Sequence, residues 1–170
     1  MAKAFGQIIS SAFRMDEATW ERHANPWSVY TRMATAPFIV LALWSRAWIG
    51  WWSLIPIAIV GAWLWLNPRA FPPPRSTSNW ASKAVLGERV WLNRKSVPIP
   101  AHHARAAALL SVVGAIGVPV FLYGIVMLEA WPTLLGMALT FLGKLWFIDR
   151  MVWLYEDMKD ATPEYRSWLR

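Results

Sequence analysis

Four stretches of the chain are too apolar to remain in water, and 15 of the 17 Lys and Arg, all but Arg46 and Lys144, fall in the three segments that an even number of crossings would leave on one face. A helix needs about 20 mostly apolar residues to cross the hydrocarbon core of a bilayer. Runs of about that length occur at 27–45, 47–66, 106–128 and 131–148. The predicted fold class is therefore all-α: a polytopic membrane protein with four transmembrane helices in two hairpins, accompanied by amphipathic cytoplasmic helices.

The distribution of charge predicts orientation. Basic residues near span ends are retained on the cytoplasmic side. Lys3, Arg14, Arg22 and Arg32 precede Met33; Arg69, Arg75, Lys83, Arg89, Arg94, Lys95 and Arg105 lie between the second and third spans; Arg150, Lys159, Arg166 and Arg170 follow Ile148. The expected location is the cell (inner) membrane, multi-pass, with both termini and the long central loop cytoplasmic. Trp44, Trp48, Trp51, Trp52 and Trp131 then fall at outer span ends, while Trp27, Trp63, Trp65, Trp146 and Trp153 fall at inner ones. Interfacial aromatic belts account for this pattern without an aromatic cofactor box.

Composition narrows the function classes. The chain is 56% hydrophobic and 16% charged with 14 Trp, whereas soluble domains carry roughly a quarter charged residues. With no Cys, disulfides, iron–sulfur clusters and thiolate nucleophiles are excluded. A net charge of +7 would suit nucleic acid. The cations, however, flank apolar spans, where anionic lipid head groups are nearer, and no nucleic-acid motif is present. The first thirty or so residues lack an apolar core followed by a small-residue cleavage point, so the first span is expected to serve as its own insertion signal.

The segments outside the spans have their own signals. In the cytoplasmic N-terminal segment 1–26, Phe5, Ile8, Ile9, Ala12 and Phe13 share a helical face, predicting an amphipathic helix at the membrane surface or packed on the protein's own loops. Asp16 can cap a second short helix, and Asn25-Pro26 reads as a cap and first helical position launching the first span. Pro56 is a kink candidate in the second span. The basic loop 67–105 opens with Asn67-Pro68 and Pro72-Pro73-Pro74, an extended course, and then carries Trp80, Ala84 and Trp91 on one face of an expected interfacial helix. In the third span Ala107, Ser111 and Ala115 recur every four residues, a spacing that admits a close helix neighbour. The tail 149–170 is expected to be a cytoplasmic helix, with a fresh start at Thr162-Pro163-Glu164.

Candidate chemistry concentrates at the inner interface. Arg22, His23, Asn25, Trp27 and Arg32 form the densest polar cluster beside a span, and the topology brings Arg69, Arg89 and Arg150 to the same face. A guanidinium fork suits phosphate or carboxylate, so these residues, with Lys144, are candidate contacts for an anion or lipid, and Glu88 and Asp149 are supporting acids. A network of ion pairs and lipid contacts explains the same cluster. Lys144 sits inside the fourth span, where a charge is expensive and raises a functional hypothesis, or else bends back to lipid phosphate. His23 is a weak catalytic candidate. No metal site is expected, because His23, His102 and His103 are the only histidines and adjacent residues point in different directions. No cofactor is predicted, and no nucleophile elbow or phosphate-cradling loop occurs.

Trp20-Glu-Arg-His-Ala-Asn-Pro-Trp-Ser-Val-Tyr-Thr-Arg32, Asn67-Pro-Arg-Ala-Phe-Pro72, Gly87-Glu-Arg-Val-Trp91 and Lys144-Leu-Trp-Phe-Ile-Asp-Arg-Met-Val-Trp-Leu-Tyr155 resemble a family of small prokaryotic integral membrane proteins classed only as a domain of unknown function. The resemblance covers about residues 20–158; it implies a membrane protein and supplies no reaction. The expected function is a binding, accessory or scaffold subunit with a basic and aromatic inner-interface site for an anionic lipid or metabolite. Expected partners are the bilayer, anionic lipids and a membrane-protein partner or a second copy, with no nucleic acid. The alternative is a membrane-embedded enzyme acting on a lipid or isoprenoid-like substrate with His23 as acid/base; the balance favours binding.

Overall fold

A computed structural model describes residues 16–170, so the N-terminal amphipathic helix expected over Phe5 to Phe13 lies outside the described residues. Among the described residues all regular structure is helical. Helix α1 (Glu17–His23) starts at Asp16, whose carboxylate accepts the Thr19 amide at 2.8 Å. Glu17 in its first turn and Arg22 and His23 in its last suit the helix dipole. Helix α2 (Pro26–Met33) opens on proline, where no amide is lost, and Asn25 Oδ1 accepts the Trp27 amide at 2.9 Å.

Helix α3 (Ala36–Trp44) follows a two-residue turn, then α4 (Arg46–Ile49), a 3-10 turn (Gly50–Ser53) and α5 (Leu54–Ala70). Gly50 adopts a φ of 54°, a region that suits a residue without Cβ. Pro56 is the third residue of α5, inside the first turn, where its missing amide has no helical partner to lose; it helps start a helix and does not kink one. The same helix runs through Asn67-Pro68 to Ala70, beyond the point where the loop was expected to begin. The buried Asn67 side chain, bonded to α2, holds that last turn.

Helix α6 (Trp80–Asn93) is capped by Asn79, which accepts the Ser82 amide at 2.9 Å. Helix α7 (Ala101–Met127) ends at a left-handed Leu128, α8 (Ala130–Met158) follows after a two-residue link, and α9 (Pro163–Ser167) is capped by Thr162. Three helical stretches are long and apolar enough to cross a membrane: Pro26–Ala70, interrupted as described, Ala101–Met127 and Ala130–Met158.

The chain forms two compact units. The first comprises Met1–Arg32, Leu64–Ile99 and Met151–Arg170. Its core joins Ala84, Val85 and Val90 of α6 to Met151, Leu154 and Tyr155 of α8 and Tyr165 of α9. One side of α6 is therefore covered by protein, with Ala81, Ser82, Ala84, Val85, Leu86, Gly87 and Val90 all buried, while Trp80 and Trp91 of the expected interfacial face are half-buried.

The second unit comprises Met33–Trp63 and Pro100–Arg150. Here α7 and α8 meet backbone to backbone. A Cβ on Gly117 would lie 2.5 Å from Thr140 Oγ1, one on Gly124 would lie 2.6 Å from Thr133 Oγ1, and one on Gly143 would lie 2.8 Å from the Gly114 amide. Of the predicted stripe, Ala107 is buried but Ser111 and Ala115 are exposed. The seam instead follows Leu110, Gly117 and Gly124, seven residues apart, because glycine permits a closer approach than alanine or serine. Away from the seam, Leu109, Val112, Ile116, Leu122, Leu134 and Leu142 are exposed, a surface that water-facing helices avoid.

At one end of this unit Trp44 Nε1 donates to Thr133 Oγ1 at 3.3 Å. Arg46 Nη2 donates to the Ile125 carbonyl at 2.6 Å and also to that of Val126. A guanidinium thus satisfies two carbonyls that the end of α7 leaves without helical partners.

Candidate functional site

The first unit contains a chain of buried polar side chains whose hydrogen directions can be worked out. Thr31 Oγ1 donates to the Trp27 carbonyl at 2.6 Å and so receives the Asn67 amide, whose Nδ2 lies at 2.8 Å. That orientation turns Asn67 Oδ1 toward Ser28 Oγ, which donates to it at 2.9 Å. Ser28 has then used its single proton, so His23 Nδ1, 2.9 Å away, must donate to it. The network assigns a proton to His23 Nδ1. His23 is 7% exposed, and Ser28 and Asn67 are fully buried.

Around the end of this chain lies a cationic and aromatic patch. Arg22 Nη1 donates to the Arg69 carbonyl at 3.4 Å; Arg69 Nη1 donates to the Trp65 carbonyl at 2.7 Å, and its guanidinium sits 4.4 Å over the Trp65 ring. Asn25 Nδ2 donates to the Pro72 carbonyl at 2.9 Å, fixing the approach of the loop. Trp27 is 67% and Trp65 45% exposed. Hydrogen bonding from Thr19 holds the Asp16 carboxyl below its ordinary range, and the positive fields of Arg69 and Arg22 add to the effect. Chemically, this is a surface of exposed guanidinium and indole groups suited to an anion with an apolar body.

The remaining candidates are placed elsewhere. Arg89 is held in an ion pair, its Nη2 donating to both Glu17 oxygens at 2.7 and 2.6 Å, and it lies 3.9 Å over the Trp168 ring. Its guanidinium fastens α1 and the C-terminal residues to α6. Arg32 and Glu88 are half-buried in the same unit. Lys144, Asp149 and Arg150 belong to the second unit, where Lys144 is exposed with its ammonium 4.9 Å from the Phe147 ring centre. Arg22, Asn25 and Arg69 are thus brought together, with His23 beside Arg22 in sequence.

Sequence reasoning missed Ser28 and Thr31, whose signal was two hydroxyl residues one helical turn apart beside the His23 cluster. Glu17 as the Arg89 partner carried no local signal, since the two are far apart in the chain. No curated protein and no solved structure matches this chain. A family described only as one of unknown function (DUF6653) matches residues 1–168, and the chain belongs to that family.

Proposed function

We propose that the chain is a four-span protein of the inner membrane with both termini cytoplasmic, acting as a binding, accessory or scaffold subunit that holds an anionic lipid or metabolite at the inner interface. The supporting observation is the exposed Arg22 beside Arg69, whose half-buried guanidinium lies over the exposed Trp65 ring, with the exposed Trp27 in the same unit. Four passes follow if the 45-residue stretch Pro26–Ala70 turns back at Gly50. Every Lys and Arg other than Arg46 and Lys144 then lies toward the cytoplasm. The indoles would sit at the head-group level, and the guanidiniums would meet phosphate or carboxylate.

Native mass spectrometry of the full chain in mild detergent tests the binding reading, with phosphatidylglycerol as the probe. Arg22→Gln with Arg69→Gln should weaken retention of that lipid at least tenfold, while helicity is kept. Unchanged retention would overturn the assignment of the patch. Orientation is tested by single cysteines, because the native chain has none. A cysteine placed at Arg75 should react with impermeant reagent only after the cytoplasmic face is opened.

A second reading, an enzyme acting on a lipid or isoprenoid-like substrate, is favoured by the bonded chain that assigns the His23 proton to Nδ1. His23→Gln would then abolish turnover of such a substrate in a folded protein, whereas a binding subunit would keep its ligand.

A further inference from the structure

A groove of about 740 Å³ lies on the α7/α8 pair, lined by Pro119, Val120, Tyr123, Trp131, Pro132 and Leu135. No ionisable acid or base lines it apart from the Tyr123 phenol, and its volume is in the range of small-molecule sites. It is open along one side, as suits a long chain. Proline at Pro119 and Pro132 fills part of the wall with rings, while the glycine seam keeps the two helices in close contact.

A charge stands at the same end of α7. Arg46 caps that helix at Ile125 and Val126, the latter one turn beyond Tyr123. The cap uses both protons of Nη2. The three remaining N–H groups, on Nη1 and Nε, have no protein acceptor among the described residues, and the side chain is exposed. An apolar groove on α7 and α8, with a guanidinium that has donors to offer one turn further along α7, matches an amphiphile with a hydrocarbon tail and a phosphate head.

We infer that α7, α8 and Arg46 form a second lipid site, which takes one phospholipid with its acyl chain in the Tyr123/Leu135 groove and its phosphate at Arg46. The inference rests on the four-span reading, which puts Arg46 at the outer interface, and uses none of the residues of the Arg22/Arg69 patch. The Trp131 indole and the Tyr123 hydroxyl suit the ester level of such a lipid.

The test is titration of the full chain with phosphatidylglycerol, read by native mass spectrometry. Leu135→Trp fills the groove and leaves the cap intact; Arg46→Gln removes the phosphate contact. Each should remove one bound phospholipid, or weaken it at least tenfold, while the lipid lost with Arg22→Gln and Arg69→Gln remains. Should Arg46→Gln fail to fold, Leu135→Trp decides alone. Wild-type binding in Leu135→Trp would overturn the inference, as would a dimer that buries the groove in place of lipid. Loss in the Arg22/Arg69 variants without loss in Leu135→Trp would sink this site and leave the inner one standing.

Discussion

Gly87 of α6 packs directly on the main chain of Met151 in α8: a Cβ there would fall 2.5 Å from the Met151 carbonyl carbon and 2.9 Å from its Cβ. Backbone cannot yield as a flexible side-chain tip can. Gly87→Ala should therefore destabilise the protein by about 1–3 kcal/mol, the usual cost of overpacking, seen as a lower thermal midpoint in detergent.

The seam between α7 and α8 makes a paired prediction. A Cβ on Gly136 would lie 2.5 Å from Phe121 Cα and 2.8 Å from the Gly117 carbonyl oxygen, whereas Gly61 in α5 has nothing within 4 Å. Gly136→Ala should lower the unfolding midpoint and Gly61→Ala should leave it unchanged or raise it, since alanine is favoured by up to about 1 kcal/mol in helix interiors. Equal effects at the two positions would refute the seam as drawn.

Leu128 closes α7 at a φ of 56°. A side chain in that region costs roughly 1–2 kcal/mol, which glycine avoids. Because Leu128 is partly exposed, Leu128→Gly loses little packing and should raise the melting temperature by a few degrees.

The His23 assignment is open to nitrogen NMR. Histidine labelled with ¹⁵N should show the proton on Nδ1 near neutral pH. Ser28→Ala leaves His23 Nδ1 and Asn67 Oδ1 without their common partner, and should cost about 1–3 kcal/mol while shifting the ring signals. An Nδ1 without a proton would reverse the direction of the whole chain of bonds.

Acid should loosen the start of α1. Because Thr19 hydrogen bonds depress the Asp16 carboxyl below its ordinary value of 3.8, the capping contribution is full above that value. It is lost as pH falls through the lower folded value. Amide exchange at Thr19 and Trp20 should accelerate in that acidic window. In Asp16→Asn, which keeps an acceptor but cannot titrate, the acceleration should vanish.

What could be read in the chain beforehand divides by distance. Asp16, Asn25-Pro26 and Thr162-Pro163 announce helix starts because a capping side chain and its amide lie within three residues, and the long apolar runs announce helices long enough for a membrane. The spacing of Ala107, Ser111 and Ala115 does not mark the contact face, since small residues occupy several faces of α7 and only the neighbour helix selects one. Arg89 looked available to an anion, yet Glu17, 72 residues away, holds it. Arg46 appeared as a lone outer cation, with no hint of carbonyl acceptors 79 and 80 residues on. The clustering of Arg22 with Arg69 was legible from topology, but the hydroxyl chain behind it required the fold.

With two residues between α7 and α8 and glycines interleaved along their contact, the pair has neither slack in its link nor a slippery surface on which to slide. Where they touch, the two helices should therefore tilt together.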